Sequence, residues 1–168
     1  MNLRMITRGA VIAGMYVVLT VTPGLSAVSY NAVQFRISEM LMPLAAFDAA
    51  AVPGLWIGCV LANAIGSPFG VLDLTLGAGL TLASALAIRW AGTRWISMSS
   101  LAAPVLFNAI GVALIIMLAS PAEDGVLFWP TAISVGLGEL GVMAVLAAPL
   151  FILLKRNPEL IGASLEGR

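Results

Sequence analysis

The sequence contains no histidine and a single cysteine, Cys59, and only 10% of its 168 residues are charged. The absence of histidine excludes Ser-His-Asp catalysis, and with one cysteine it removes the usual zinc, haem and iron–sulfur sites and any internal disulfide. No Gly-x-x-x-x-Gly-Lys-[Ser/Thr] loop is present to bind ATP. Eight basic and eight acidic residues balance, which argues against a nucleic-acid partner. We predict no metal, no cofactor and no catalytic residue.

The residues that are present are typical of a membrane protein. Hydrophobic residues make up 61% of the chain, whereas the charged fraction falls far below the about 25% of an ordinary globular domain. A spanning helix takes about 20 residues, so six helices use about 120 of them. The apolar runs are continuous and do not alternate, which argues against a β-barrel. We predict an all-α membrane protein, a compact bundle of six transmembrane helices in one domain over residues 1–168.

Proline and polar residues separate the apolar runs. Pro43 predicts a kink inside the second run, and Pro53 suits the first turn of the third helix. Asp73 ends a tight loop, where it either caps the fourth helix through the Thr75 or Leu76 amide group or contacts a ligand. The predicted helices cover residues 7–22, 35–50, 53–65, 74–90, 97–118 and 130–154.

The first apolar run allows more than one interpretation. Its basic start, short apolar core and small residues near Ala27 also resemble a secretory signal. The run carries two pairs of small residues at a spacing of four, Gly9 with Ala13 and Ala10 with Gly14. Such pairs let another helix approach closely in lipid. That helix belongs either to the same bundle or to a partner protein.

The distribution of cations predicts the orientation in the membrane. In a six-span bundle the two termini, the second–third connection and the fourth–fifth connection share one side. That side carries seven of the eight cations, so the positive-inside rule makes it cytoplasmic. These cations are Arg4, Arg8, Arg89, Arg94, Lys155, Arg156 and Arg168. The remaining cation, Arg36, then lies near the outer face beside Glu39.

Polar residues inside the apolar runs are the candidate ligand contacts. A carboxylate at the centre of a spanning helix costs about 2.5–3.5 kcal/mol, so Glu139 must face protein or water. It lies roughly 13 Å below Pro130, at a depth similar to that of Asn108. Glu139 either hydrogen-bonds Asn108 or contacts a ligand in an outward cavity. Arg36 and Glu39 either contact the same ligand or brace the first loop.

These side chains favour a small, polar and planar ligand. Carboxylates and amides offer directed hydrogen bonds and aromatic rings offer stacking, but nothing supplies a nucleophile with a base. Binding and passage are therefore favoured over catalysis. The predicted substrate-binding residues are Gln34, Arg36, Glu39, Asn63, Asp73, Asn108, Trp129 and Glu139, and further aromatic candidates are Tyr30, Phe35 and Phe69.

Several short segments also occur in an order typical of one transporter family. They are Ala13–Thr20, Gln34-Phe35-Arg36-Ile37-Ser38-Glu39, Gly54–Cys59 running into Ala62-Asn63, Ser67–Asp73, Gly77 with Thr81-Leu82, and Gly136-Leu137-Gly138-Glu139. Together they resemble the QueT family, substrate-binding S components of energy-coupling factor (ECF) transporters. The likeness extends over about residues 7–155.

The resemblance implies a six-helix protein of a prokaryotic plasma membrane, which binds a queuosine precursor, a 7-deazaguanine base, on its outer side. Uptake then requires a transmembrane T component and two ATPase subunits, in agreement with the missing ATP loop. Small residues on the first helix of such proteins meet the T component. Gly9, Ala10, Ala13 and Gly14 match that pattern and are the predicted docking residues.

The resemblance also suggests roles for the polar residues. One carboxylate accepts the ring N–H and the exocyclic amine of a guanine-like edge together, with Glu139 the first candidate and Glu39 the second. The other roles follow chemical type: Arg36, Gln34 or Asn63 donates to the carbonyl oxygen, Glu39 or Asp73 meets an aminomethyl cation, and Trp129 or Phe69 stacks on the ring. Alternatives from other classes are a self-sufficient secondary transporter or channel, a small intramembrane enzyme, and a structural subunit.

Overall fold

The structure is a computed structural model of the chain. It describes residues 3–29, 35–94, 97–120 and 127–161, and all regular structure in these ranges is helical. The all-α prediction is confirmed there. Four helical stretches are long and apolar enough to cross a membrane, and two shorter apolar stretches follow the first of them; in chain order the six are Leu3–Val21, Ile37–Phe47, Ala51–Gly66, Asp73–Gly92, Met98–Ala119 and Phe128–Arg156. A bundle in which all six stretches span the membrane stays a prediction.

The described helices follow the predicted order. The α-helices are α1 (Leu3–Val21), α2 (Leu25–Ser29), α3 (Leu44–Phe47), α4 (Ala51–Gly66), α5 (Ala78–Arg94), α6 (Ala102–Ala119), α7 (Phe128–Val142) and α8 (Ala148–Arg156). Two π-helical segments, Asp73–Gly77 and Met143–Ala147, lead into α5 and join α7 to α8. Short 3-10 helices cover Ile37–Leu41, Met98–Leu101 and Pro158–Ile161. The short α2 lies in the predicted first loop.

The second helix, predicted over residues 35–50 with a kink at Pro43, is instead broken into two short helical segments. The segment is a 3-10 helix, Ile37–Leu41, followed after Pro43 by the single turn of α3. Pro43 has no N–H to continue an α-helical ladder, so the break at this position is stronger than a kink. Asp48 then adopts an extended backbone, and its Oδ1 accepts the Ala50 N–H at 2.9 Å.

Helices α1 and α4 pack with their backbones in contact. A Cβ on Gly54 would lie 2.7 Å from the Gly9 carbonyl oxygen, and a Cβ on Gly58 would lie 2.7 Å from the Cβ of Tyr16. A Cβ on Gly58 would also lie 3.0 Å from the Ala13 carbonyl oxygen. Only glycine permits this approach, which places the fully buried Tyr16 in the core. The core position of α1 favours a helix of the bundle over a removed signal.

The two pairs of small residues on α1 lie on different faces. Gly9 and Ala13 are buried in the contact with α4, whereas Ala10 and Gly14 are exposed. Nothing lies within 4 Å of a Cβ added to Gly14. Gly9 and Ala13 therefore serve packing within the bundle and offer no surface to a partner in this structure. The predicted docking role is left to Ala10 and Gly14.

Two roles were open for Asp73, a cap of the fourth helix or a ligand contact, and the structure does not place Asp73 at the cap position. Helical structure begins at Val71, and Asp73 opens the π-helical segment inside it. Its carboxylate accepts a hydrogen bond from the Ser67 hydroxyl at 2.7 Å instead of capping an amide group. The helical stretches Met98–Ala119 and Phe128–Arg156 begin and end within two residues of the fifth and sixth predicted helices.

Contacts at one end of the bundle join the segments that were predicted to share a side. Arg8 of α1 forms an ion pair with Asp48, Nε to Oδ2, at 3.2 Å. Arg89 of α5 donates to the Ala46 carbonyl oxygen at 3.4 Å. A Cβ on Gly92 would lie 2.7 Å from the Ala46 Cα, so this end is closely packed. The grouping agrees with the predicted topology, while the side of the membrane on which this end lies stays a prediction.

Candidate functional site

A chain of buried polar groups joins the first connection of the bundle to the third. Arg36, at the entrance to the 3-10 helix, donates through Nη2 to Oδ1 of Asn63 on α4. Asn63 in turn donates through Nδ2 to the Asp73 carbonyl oxygen at 2.8 Å. All three residues are at most 3% exposed. The structure thus brings together three predicted site residues from separate segments.

Glu39 lies one turn beyond Arg36 and is fully buried. Tyr16 of α1 donates its hydroxyl proton to Glu39 Oε1 at 2.5 Å. The other carboxylate oxygen, Oε2, makes no hydrogen bond within the part of the chain that the structure describes. Tyr16 therefore holds Glu39 at Oε1, the Thr81 side chain also interacts with this carboxylate, and Oε2 is a second acceptor inside the protein.

Glu139 of α7 reaches the same cluster from the opposite side. Its side chain is 2% exposed and lies beside the Asn108 amide of α6, and it interacts electrostatically with Glu39 and Arg36. The Oε1 atom of Glu139 has no hydrogen-bond partner among the described residues. Glu139 thus contacts Asn108, as one interpretation predicted, while its contact with a ligand stays a prediction.

The cluster combines a guanidinium group with two carboxylates that each hold an unused acceptor. Leaving a buried polar group without a partner costs about 1–3 kcal/mol, and more when the group is charged. Buried polar atoms in native proteins normally have partners, so two such oxygens in one cluster mark it as the candidate binding site. A ligand with N–H donors would complement these two oxygens, because a carboxylate oxygen without a proton accepts hydrogen bonds.

One predicted site residue, Trp129, does not join this cluster. Trp129 is 71% exposed and packs edge-on against Phe128, with ring centroids 5.1 Å apart. It lies ten residues before Glu139 in the same helical stretch, which is about 15 Å along the axis. Gln34 falls outside the described residues, as does the candidate aromatic Tyr30.

Sequence reasoning missed three residues that complete the cluster: Tyr16, Cys59 and Thr81. The buried Cys59 sulfur accepts from Thr81 Oγ1 at 3.3 Å and from Asn63 Nδ2 at 3.5 Å. Helical spacing held the signal for each of them. Tyr16 follows Ala13 by three residues, Cys59 precedes Asn63 by four, and Thr81 follows Gly77 by four, so each shares a face with a selected residue.

The outer face of α1 is a second surface of interest. It carries the exposed Ala10 and Gly14 together with the large exposed apolar residues Val11, Met15 and Val18. Gly14 is one of the residues that line an apolar depression on this face. The surface lies on the side of α1 that does not contact α4.

Comparison with known proteins identifies the family. A segment of 73 residues is 44% identical to the queuosine precursor transporter QueT of Lactococcus lactis subsp. cremoris (strain MG1363), and it covers 44% of this chain and 42% of that relative. No solved structure matches the chain. The QueT transporter family model matches residues 6–156. The apolar helical chain therefore belongs to the QueT transporter family, a family of transporters and not of enzymes, and is a multi-pass protein of a prokaryotic plasma membrane.

Proposed function

We propose that this protein is the substrate-binding S component of an ECF importer and binds a queuosine precursor, a 7-deazaguanine base, in the buried cluster. The observation that carries the proposal is the pair of unused carboxylate oxygens, Glu39 Oε2 and Glu139 Oε1, at one buried site. The name of the Lactococcus lactis relative, a queuosine precursor transporter, supports the same class of substrate.

The chemistry of a guanine-like edge complements this arrangement. The edge presents a ring N–H beside an exocyclic amine, and one carboxylate accepts both in a charge-assisted bidentate contact. Glu139 is the first candidate for this contact and Glu39 the second. Arg36, which contacts Asn63 and Cys59 in the cluster, is the proposed donor to the base carbonyl oxygen. The carboxylate that does not hydrogen-bond the base edge would form an ion pair with an aminomethyl cation on the ligand.

The remaining predicted residues have supporting roles in this proposal. Asp73 holds Asn63 through its backbone carbonyl and is itself held by Ser67, so it shapes the site without reading the base. Asn108 orients Glu139. Gln34 and Trp129 are assigned to the outer mouth of the site, where the ligand enters before it reaches the buried cluster.

Energy for uptake is proposed to come from partner proteins. The sequence contains no ATP-binding loop, so a T component and two ATPase subunits would supply the work. The exposed small residues of α1, Ala10 and Gly14, are the proposed contact with the T component. Transport is then a change in population between outward and inward orientations, and it requires that the two bind the base with different affinities.

Calorimetry on the purified protein with a 7-deazaguanine that carries a 7-aminomethyl group tests this function. We expect Glu139→Gln to weaken binding at least about tenfold, because the amide replaces an acceptor oxygen by a donor. Glu159→Gln is the matched control, since Glu159 is exposed beyond α8 and we expect it to leave binding unchanged. Absence of binding by the unaltered protein overturns the proposal, and normal binding by Glu139→Gln removes Glu139 from the base-reading role.

A self-sufficient secondary transporter is the second candidate. Buried carboxylates with unused oxygens also occur in proton relays of such transporters, so the same two glutamates favour it. Uptake of the labelled base by cells that express this protein without any ECF ATPase would support this alternative. Uptake only when the T component and ATPases are present supports the S-component role.

A further inference from the structure

Two buried hydroxyl groups on α1 reach the 3-10 helix that carries Glu39. The Tyr16 hydroxyl donates to Glu39 Oε1, and the Thr20 hydroxyl lies 2.7 Å from the Ser38 hydroxyl. All four residues are fully buried. The two hydrogen bonds fix the segment Ile37–Leu41 against α1. The bond from Tyr16 is the one that reaches Glu39, whose Oε2 has no partner among the described residues.

The Tyr16 side chain is held firmly from the opposite side. Gly58 of α4 brings its Cα against the Cβ of Tyr16, so the close packing of α1 on α4 limits where the phenol can lie. The same turn of α4 carries Cys59, and Asn63 follows one turn later. Tyr16 therefore connects the rigid α1–α4 pair, which holds Arg36 through Asn63, to the carboxylate of Glu39.

We infer that Tyr16 is a positioning residue of the binding site: its hydroxyl fixes one oxygen of Glu39 so that the other is presented to the ligand. The inference rests on the proposed function, because it assumes that the cluster binds the base. It also ties the site to α1, whose opposite face carries Ala10 and Gly14. A movement of α1 would then move Tyr16, release Glu39 and lower the affinity for the ligand.

Tyr16→Phe and Thr20→Val test this role as a matched pair. Each removes one buried hydroxyl from α1 with little change in shape. We expect Tyr16→Phe to weaken binding of the 7-aminomethyl-7-deazaguanine by about 10- to 100-fold, which is the loss expected for one hydrogen bond to a charged group. For Thr20→Val we expect a change below about threefold in affinity. Calorimetry on the purified full chain measures both.

A double-mutant cycle separates positioning from a general structural effect. In a Glu39→Gln background we expect Tyr16→Phe to change affinity by less than about threefold, since its hydroxyl acts through the carboxylate. An equal loss in both backgrounds overturns the inference. If Tyr16→Phe does not fold, Glu39→Asp serves instead: it keeps the charge but withdraws it from Tyr16, and normal affinity in that variant overturns the inference.

The failure of this inference is distinct from the failure of the proposed function. If the unaltered protein does not bind the base, the function is wrong and the inference with it. If the unaltered protein binds the base and Tyr16→Phe binds equally well, the function stands and only the role of Tyr16 is overturned.

Discussion

Asn63 is the residue on which the two polar segments of the site converge. Its amide oxygen accepts from Arg36, and its amide nitrogen donates to the Asp73 carbonyl oxygen and to the Cys59 sulfur. A side-chain amide can do both because its oxygen accepts hydrogen bonds and its nitrogen donates them. The sequence singled out Asn63 as a polar residue near the end of an apolar helix. Its partners lie 27 and 10 residues away along the chain, so only the folded structure shows these contacts.

At the residue scale, Asn63→Leu tests this convergence. The substitution keeps the volume but removes both functions of the amide, so buried groups on two segments lose a partner. We expect the free energy of unfolding in detergent to fall by about 1–3 kcal/mol or more, and binding of the base to be lost. Asn157→Leu is the control, because the Asn157 side-chain amide donates to the Leu153 carbonyl oxygen at the end of α8, outside the cluster. Similar small losses in both variants would contradict the role given to Asn63.

The two π-helical segments are the elements that shape the site. Asp73–Gly77 begins at a residue of the cluster, and Met143–Ala147 begins four residues after Glu139. Such segments inside α-helices frequently occur at functional sites. Each widens the helix locally and changes the face that the following residues present. Hydropathy did not predict them, because a π turn and an α turn have the same apolar pattern over a few residues.

At the element scale, Gly77→Ala tests the first π segment. A Cβ at Gly77 would overlap Oδ1 of Asp73 and lie 3.3 Å from Nδ2 of Asn63. Because the Asp73 carboxylate is already held by Ser67, it cannot turn away without loss of that bond. We expect a loss of about 1–3 kcal/mol in the free energy of unfolding, measured in detergent, and weaker binding.

Gly79→Ala is the matched control for that change. Gly79 lies two residues further along the same helical stretch, and nothing lies within 4 Å of a Cβ added there. Alanine is favoured over glycine inside a helix, so we expect a gain of about 0.5–1 kcal/mol or no change. Equal effects at the two positions would show that the π segment does not require a glycine.

For the whole molecule, α1 has one face inside the bundle and one outside. The inner face holds Gly9, Ala13 and Tyr16, and the outer face exposes Ala10 and Gly14. Because the two pairs of small residues lie on different faces, one pair packs inside the bundle and the other is accessible to a partner helix. A surface of small and apolar residues lets another helix approach closely in lipid.

Ala10→Trp tests the outer face. A bulky ring there would keep a partner helix away without entering the bundle, so we expect uptake by cells with the complete importer to fall at least about tenfold while the purified protein binds the base normally. Ile110→Trp is the control, since Ile110 is a comparably exposed position on α6. Normal uptake by Ala10→Trp would exclude this face as the docking surface.

Orientation is the other prediction at this scale. We expect a cysteine at Trp129 to react with a membrane-impermeant thiol reagent in intact cells, and a cysteine at Ser99 to react only after the cells are opened, because the positive-inside rule places them on opposite sides. The unaltered protein is the control, since its single cysteine is buried. The reverse pattern of labelling would invert the predicted topology.

The composition and the order of short segments along the chain were sufficient to predict the helical membrane class and the family. Few charges and long apolar runs predicted membrane helices, and the short segments from Ala13 to Glu139 identified the QueT family. The predicted polar residues Arg36, Glu39, Asn63, Asp73 and Glu139 do gather in one cluster. These features follow from hydropathy, charge and helical spacing, which depend on neighbouring residues.

The contacts that give the cluster its geometry required the tertiary structure. Tyr16 meets Glu39 across 23 residues of chain, and it does so because Gly58 lets α1 approach α4 closely. The same approach buries Gly9 and Ala13 and leaves Ala10 and Gly14 outside. Both pairs of small residues have the same spacing of four positions, so the pattern cannot tell an internal contact from an external one. That distinction depends on which helix lies opposite, and only the packed bundle supplies it.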